Sequence, residues 1–392
     1  TQKLDLRGND LKVIPSGAFL SVPYLTHLSL QKCNIERIEE GALRGLGRLV
    51  YLNLGSNKIS FIYQESFDGL SSLQQLVLEK NRLEEIKPGA FGQLGFLNFL
   101  HLGDNFLVYL PDMLFQGLQQ VKWIRLSNNM INVVSNEAFA ALPNLKRLSL
   151  DHNELQYLPT DALSRMSGLT RLELGWNPMT FISEEAVQMA SLKQLFLNNM
   201  AIQDLSFKAF ERSPQLSLID LSNNQIRTIQ PGAFAGMKNL VYLYLSHNHL
   251  SSIDPEVFRD APMIGYLYLD HNRFTRLSKG TFKFLPNLFS LHMQYNSISS
   301  LSDNFMSGAD KLHWVYMTGN NINYIASSAF KNNKDLEKLH LDENLLMEVP
   351  TQAIKGLPLL NELRLSKNLI RSIGNGAFLP VARSLQHLYL ND

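Results

Sequence analysis

The chain has 392 residues, of which 45% are hydrophobic and 18% charged, and its formal net charge is +1. This composition supplies enough apolar side chains for a large core and is unlike that of a disordered chain. The near-zero charge gives no global field that would favour nucleic acid or an acidic membrane. The longest apolar runs fall far short of the roughly 20 residues that cross a bilayer, so no membrane insertion is expected in this segment.

A pattern of the form L-x-x-L-x-L-x-x-N recurs from the start of the chain at intervals of 24 residues. Cys33 and Met200 occupy two of the asparagine slots, and the unit around Met200 is one residue short. The asparagines are Asn9, Asn57, Asn81, Asn105, Asn129, Asn153, Asn177, Asn224, Asn248, Asn272, Asn296, Asn320, Asn344 and Asn368. A fixed period of this kind is the signature of leucine-rich repeats. The sequence therefore predicts an α/β leucine-rich repeat solenoid, a horseshoe of about 16 repeats.

Each repeat divides into a strand half and a return half. In "LVYLYLSHN" the leucines occupy every second position, so Leu243 and Leu245 should point inward while Tyr242 and Tyr244 point outward. Proline and glycine in the return half exclude a long helix. We expect a parallel concave sheet, an irregular or 3-10 convex side, a spine of the phenylalanines that recur ten residues after the ladder position, and asparagine side chains that bond buried backbone groups.

In the first half of the chain, aromatic and basic residues share the predicted concave face. Trp123, Arg125, Arg147 and Arg171 occupy outward positions of successive strands. Such a patch could bind carboxylates or sulfated glycans. The alternative is ordinary surface ion pairing, because Glu173 lies close to the arginines.

Met200 marks a predicted seam between two copies of an eight-repeat block. A shift of 191 residues places "VYLNLGSNKI" on "VYLYLSHNHL" and Trp123 on Trp314. The leucine pattern continues through Met200 without a linker. We therefore predict one continuous solenoid over residues 1–392, duplicated internally as 1–191 and 192–392, and a fragment of a longer protein because no cysteine-rich caps are present.

The second half carries a denser aromatic cluster, which is the preferred partner site. Exposed tyrosine and tryptophan offer large contact areas with a polar tip and dominate interface energetics. The alternative is that aromatic residues favour strands and stack along a ladder whether or not anything binds. The cluster, on four consecutive strands and their edge, comprises Tyr242, Tyr244, Tyr266, Tyr268, His292, Tyr295, Trp314 and Tyr316.

The repeats resemble the typical extracellular leucine-rich class throughout. Within that class, "LQKCNIERIEEGALRGLGRLVYLNLGSNKI", "LSRMSGLTRLELGWNPM" and "LVYLYLSHNHL" with "IGYLYLDHNRF" are similar to the chondroadherin group of small leucine-rich matrix proteins. That group has cysteine clusters at both ends and fewer repeats, which this chain lacks. The resemblance implies secretion, binding of collagen or other matrix molecules, and contact with cell-surface receptors.

The sequence motifs do not indicate catalysis or cofactor binding. The triplets "DHN" and "SHN" fall on ladder positions of separate repeats, so their spacing follows from the scaffold. No phosphate loop, HExxH or nucleophile elbow is present. The concave histidines His101, His292 and His340 lie two or more strands apart, which argues against a metal. We expect no enzyme activity, no cofactor and no metal.

The prediction for function is a secreted, extracellular matrix scaffold that binds a protein partner such as collagen through the aromatic cluster. The alternative is the ectodomain of a membrane receptor or adhesion protein, which a ~20-residue apolar stretch beyond Asp392 in the full protein would favour. A glycosaminoglycan is a weaker candidate partner, and nucleic acid is not expected. A third reading is a purely structural scaffold.

Overall fold

The structure is a computed structural model that describes residues 2–392. Two compact units are present. Unit 1 comprises residues 2–179 and Val187–Phe196, and unit 2 comprises Thr180–Ala186 and Leu197–Asp392. The single continuous solenoid over residues 1–392 remains a prediction, and the two units are described separately below.

Unit 1 is built on short parallel strands, one from each repeat. Each strand pairs with its successor at an offset of 24 residues, and the last pair, Arg171 with Gln194, is offset by 23. Within residues 2–196 these strands are Lys3–Asp5, His27–Ser29, Tyr51–Asn53, Gln75–Val77, Phe99–His101, Trp123–Arg125, Arg147–Ser149, Arg171–Glu173 and Gln194–Phe196.

Unit 2 repeats the same construction. Its strands pair in parallel at 24-residue offsets except the last pair, in which Glu362 aligns with His387 at an offset of 25. In the described part of this unit they are Leu218–Asp220, Tyr242–Tyr244, Tyr266–Tyr268, Ser290–His292, Trp314–Tyr316, Lys338–His340, Glu362–Arg364 and His387–Tyr389. The leucine-rich repeat solenoid predicted from the sequence is confirmed.

The return halves contain little regular structure, as their prolines and glycines predict. Some of them form two-residue parallel strands, a feature that the sequence did not indicate: Val13–Ile14 with Arg37–Ile38, Phe61–Ile62 with Glu85–Ile86, Tyr109–Leu110 with Val133–Val134, Phe181–Ile182 with Asp204–Leu205, and Ser300–Leu301 with Tyr324–Ile325. The described helices have at most four residues and are Thr160–Leu163, Pro255–Phe258, Thr351–Ile354 and Leu379–Val381.

The core lies between the strands and the return segments. The middle residue of a strand points inward, as shown by Leu243 and Leu267, which are fully buried. The phenylalanine spine is also present, with the rings of Phe91 and Phe115 stacked at 6.3 Å in unit 1 and those of Phe210 and Phe234 at 6.0 Å in unit 2. Burial of each such side chain stabilises the fold by roughly 1.5–3 kcal/mol.

The ladder asparagines link each turn to its predecessor. The Asn248 amide group donates to the carbonyl oxygens of Leu221 at 2.9 Å and Leu245 at 3.1 Å, and its Oδ1 accepts from the backbone N–H of Ile226 at 3.1 Å. Asn248 is 3% exposed, so these backbone groups could not turn to water instead. The predicted reason for asparagine at this position is confirmed.

Cys33 replaces one ladder asparagine with a weaker donor. Its Sγ lies 3.1 Å from the carbonyl oxygen of Leu6, and the thiol is fully buried. Met200 has no side-chain hydrogen bond to offer at its ladder position and packs as a buried apolar group. Its backbone N–H still donates to Oδ1 of Asn224 at 3.1 Å, so the link to the following turn is kept.

Candidate functional site

The sheet face of unit 2 carries a continuous column of aromatic rings. We define the ring column as Tyr244, Tyr268, His292, Tyr316 and His340, which are register partners on five successive strands. Successive ring centroids lie 4.4, 4.1, 4.6 and 4.7 Å apart. The first three contacts are stacked within 17°, and the last is edge-on. The strand pleat and the 24-residue period thus bring the predicted column together.

A second, interrupted row lies beside the ring column. Tyr242 and Tyr266 stack at 4.8 Å, but the next position is Ser290, which is fully buried. Trp314 continues the row beyond that gap and packs edge-on against Phe289 at 4.7 Å. The row therefore consists of a tyrosine pair and a separate tryptophan.

The stacking determines which parts of the rings a partner can reach. Rings packed face to face along the stacking direction cover one another, so their edges and hydroxyl groups point to solvent. Tyr244 and Tyr268 are only partly exposed. The face is therefore a row of polar tips with partly buried rings.

The ring column is electrically neutral at pH 7. Burial raises the pKa of Tyr268 to about 12 and also raises the pKa of Tyr244 and Tyr316. Burial lowers the pKa of His292 to about 4, with a smaller opposing effect from Asp270. Burial likewise lowers the pKa of His340, whose Nε2 lies 2.5 Å from Oε2 of Glu362. The hydroxyls and imidazoles of the column itself therefore act as neutral hydrogen-bonding groups.

Tyr295 lies at the edge of this face. It occupies the turn position directly before a ladder asparagine, with a φ of 55°, as do His247 and His271 at 54° and 55°. The rings of His247 and His271 stack at 4.0 Å, and His271 and Tyr295 lie 4.9 Å apart. The Tyr295 hydroxyl lies 3.5 Å from Oε2 of Glu343. A second ring row therefore follows the turns.

In unit 1, the predicted patch is held together by its own contacts. Arg147 lies over the Trp123 ring at 3.9 Å, and its Nε is 2.6 Å from Oε1 of Glu173. Arg171 reaches the same oxygen at 2.8 Å. The Trp123 Nε1–H donates to Ser149 Oγ at 3.0 Å. Arg125 stands on the same face, next to His101 in the register.

This arrangement favours the ion-pairing alternative for two of the three arginines. Glu173 lies between Arg147 and Arg171, and its side chain is 17% exposed. A sulfate or carboxylate would have to compete with it for both guanidinium groups. The sequence identifies Glu173 as a neighbour, because it lies 24 residues after Ser149 and is its register partner on the next strand.

Some side chains outside the predicted set of partner-binding residues also belong to these sites. His340 completes the ring column, and the 24-residue spacing from Tyr316 predicts its position. Three side chains converge at the turns of unit 2, where the ligand atoms of His247, Asp270 and His271 lie within 4.8 Å of one another. The strand histidines His101, His292 and His340 are not part of this group. The sequence does contain a signal for this group, because the "SHN" and "DHN" turns are 24 residues apart and therefore lie on adjacent repeats.

Comparison with known families identifies the repeat. The leucine-rich repeat family matches residues 1–59, 48–107, 97–155, 143–202, 190–250, 214–274, 262–322, 310–370 and 334–392. The chain belongs to the leucine-rich repeat family.

Among its leucine-rich repeat relatives, human chondroadherin-like protein is 65% identical over 54 residues, which cover 14% of this chain and 7% of that protein. Mouse Toll-like receptor 13 is 42% identical over 59 residues, or 15% of this chain and 6% of the receptor. These matches therefore span only a small part of either relative.

The fold is shared with a solved structure of a Drosophila protein complex. The Toll chain in the Toll–Spatzle complex superposes with a TM-score of 0.88 at 23% identity, over 100% of this leucine-rich repeat chain and 54% of Toll. Within residues 2–392, no helix has the length and apolarity needed to span a membrane.

Proposed function

We propose that this leucine-rich repeat protein is a non-enzymatic extracellular scaffold and that the ring column of unit 2 binds an extended polypeptide, with collagen as the partner. The observation that carries the proposal is the uninterrupted stack of Tyr244, Tyr268, His292, Tyr316 and His340. Surface tyrosines combine rigid contact area with a hydrogen-bonding tip. Stacking holds these rings in place before binding, which reduces the entropy lost on association.

The dimensions and the neutrality of the column suit such a partner. Five strands spaced by about 4.8 Å extend over roughly 19 Å. A polyproline-type chain rises about 3.1 Å per residue, so about six residues of a collagen strand would lie along the column. Backbone carbonyls and hydroxyl groups of collagen match the neutral tips of Tyr244, Tyr268 and Tyr316. Because the stacked ring faces cover one another, a ligand that stacks on exposed ring faces, such as a nucleobase, should be disfavoured.

The matrix assignment is supported by the segment that is similar to chondroadherin-like protein. The alternative, a receptor ectodomain, is supported by the segment similar to Toll-like receptor 13 and by the Toll fold, which was solved in complex with Spatzle. Both readings place the protein outside the cell or at its surface. Expression of the full-length protein in cultured cells separates them, because a receptor stays in the membrane fraction after alkaline washing whereas a matrix protein appears in the medium and matrix.

The decisive binding experiment keeps the rings and removes the hydroxyl groups. Surface plasmon resonance on immobilised triple-helical collagen would compare the wild type with the triple variant Tyr244→Phe, Tyr268→Phe and Tyr316→Phe. Loss of three hydrogen bonds, each of about 0.5–1.5 kcal/mol, should weaken binding by roughly tenfold or more. Tyr24→Phe and Tyr324→Phe form the control, because these tyrosines are 60% and 61% exposed away from the column.

The outcomes distinguish the possible roles of the column. If the phenylalanine variant binds as tightly as the wild type while alanine at the same three positions abolishes binding, the rings and not their hydroxyls make the contact, and the proposed polar recognition is wrong. If neither variant changes binding, the column is not the collagen site. Circular dichroism of each variant monitors folding.

The unit 1 patch is proposed as a secondary contact, with Trp123, Arg125, Arg147 and Arg171 as its residues. Because Glu173 engages two of the arginines, a glycosaminoglycan is the weaker candidate. We expect the protein to elute from a heparin column near physiological salt concentration and not to be retained at higher salt. Glu173→Gln should increase retention if the carboxylate is the competitor.

A further inference from the structure

We propose that His247, Asp270 and His271 form a binding site for one transition-metal ion, with Zn²⁺ as the best match. The three side chains come from the turns of adjacent repeats in unit 2, and their ligand atoms lie within 4.8 Å of one another. The site lies beside the ring column and does not share its residues. The inference is therefore independent of the collagen proposal.

The backbone fixes both histidines in equivalent positions. His247 and His271 have φ values of 54° and 55°, a left-handed conformation in which each residue precedes a ladder asparagine. The His247 N–H donates to the carbonyl oxygen of Asp270 at 3.0 Å, which ties the two turns together. The imidazole rings consequently stack at 4.0 Å with an angle of 13° between their planes. The fold thus supplies two parallel imidazoles without any ligand present.

The carboxylate is held in place by a different neighbour. The Ser246 hydroxyl donates to Oδ1 of Asp270 at 2.6 Å, while Oδ2 lies 2.9 Å from Nδ1 of His271. One oxygen is therefore oriented by the scaffold and the other faces the imidazole. A hydrogen bond of this kind to a ligating carboxylate is typical of the outer environment of metal sites.

The donor set selects the metal. Two imidazole nitrogens and one carboxylate oxygen suit Zn²⁺, Ni²⁺ or Cu²⁺, whereas Ca²⁺ and Mg²⁺ prefer oxygen donors alone. Zinc bonds of about 2.0–2.2 Å place tetrahedral ligands roughly 3.3 Å apart, so the widest ligand pair must close by about 1.5 Å at most, while His271 Nδ1 and Asp270 Oδ2, now 2.9 Å apart, must separate slightly. Rotation of the two exposed imidazoles supplies this movement, and it must also take the rings out of their parallel stack so that both nitrogen lone pairs point at one ion. His271 then carries its proton on Nε2, and the metal takes the place of the hydrogen between Nδ1 and Asp270.

Unit 1 contains a natural control for this site. Asp151 and His152 form the same pair, with Nδ1 and Oδ2 2.8 Å apart, and Ser127 donates to Asp151 as Ser246 does to Asp270. The position equivalent to His247 is occupied by Asn128, and the ring stacked on His152, at 5.2 Å, is Trp176, which corresponds to Tyr295 of the proposed site. This pair therefore reproduces the scaffold but lacks the third ligand.

The test is isothermal titration of the untagged full chain with Zn²⁺. The wild type should bind one ion saturably, and His247→Asn or His271→Asn should weaken binding by about a hundredfold or more. Asparagine is the appropriate replacement because Asn128, Asn199 and Asn223 occupy equivalent turns at φ values of 54–58°. His152→Asn should leave the affinity unchanged.

Each result decides the question. Absence of saturable Zn²⁺ binding by the wild type up to roughly 100 µM overturns the proposal, since three well-placed ligands should bind more tightly than that. So does unchanged affinity in either turn variant, or loss of binding in His152→Asn. Circular dichroism and the melting temperature without metal show whether each variant is folded, and reversal by EDTA confirms that the heat comes from metal binding.

Discussion

Acidification should destabilise unit 2 through His292, because the fold holds this imidazole neutral. Burial between the rings of Tyr268 and Tyr316 lowers its pKa from 6.5 to about 4, and Asp270 opposes the shift while His340 adds to it. The unfolded chain takes up a proton as the pH falls through 6.5, whereas the folded chain does so only near 4. The stabilisation is therefore complete above 6.5 and is lost as the pH falls from there to 4.

The magnitude follows from the difference between the two pKa values. That difference corresponds to roughly 3.4 kcal/mol when titration is complete, and to about 2.5 kcal/mol near pH 4.5. Urea unfolding at about pH 7 and about pH 4.5 would measure the loss. His292→Phe is the reference, because phenylalanine can stack on both neighbouring rings but cannot titrate.

Subtraction of the two proteins isolates the histidine. Carboxylates titrate in the same range, but their contribution is common to wild type and variant and cancels. The variant also loses the hydrogen bond between His292 Nε2 and Ser290 Oγ at 2.9 Å, which lowers stability at both pH values alike. If the variant loses as much stability on acidification as the wild type, His292 titrates normally and the reasoning about the buried column fails.

Other predictions concern the scaffold and the tyrosines. Asn248→Ala leaves the buried N–H of Ile226 without a partner and removes one of the two side-chain donors from each of the Leu221 and Leu245 carbonyls, so it should lower the free energy of unfolding by roughly 2–4 kcal/mol in urea titration; a loss below about 1 kcal/mol would contradict the ladder's role. Gly308→Ala should cost about 1–3 kcal/mol, since φ is 95° and a Cβ would lie 2.6 Å from the Lys283 backbone, whereas Gly356→Ala, with open space, should not destabilise. Absorbance titration at alkaline pH should show that Tyr268→Phe removes a phenol that ionises near 12, so folded stability falls as the pH rises from 10 to 12; a lost phenol that ionises near 10 would exclude this.

Most of the fold could be read from the sequence because one period governs it. The recurrence of leucine at alternate positions and asparagine every 24 residues predicts which strand residues are buried, as Leu243 and Asn248 illustrate. The period also places Cys33 at a ladder position, and its sulfur contacts a backbone carbonyl there. The two-residue strands such as Val13–Ile14 were not expected, because two residues are too few to show a period.

The site was predicted less completely, since position along a strand does not determine ring orientation. Adding 24 to Tyr244 places the column correctly, yet only coordinates show that Tyr244 and Tyr268 stack with their faces covered. Likewise, the sequence places Glu173 near Arg147 and Arg171 but does not show that one oxygen contacts both. Side-chain rotamers decide these contacts, and rotamers depend on packing that a one-dimensional pattern does not contain.

Repeats of unequal length have a consequence for how this protein can change. The 23-residue step that ends at Gln194 and the 25-residue step that ends at His387 both keep strand pairing in register. The return segments therefore absorb insertions and deletions, while the outward side chains of the strands keep their alignment for a partner. An insertion inside a three-residue strand would instead turn its outward side chains over. Loop grafting and length variation in this protein should accordingly be confined to the return segments.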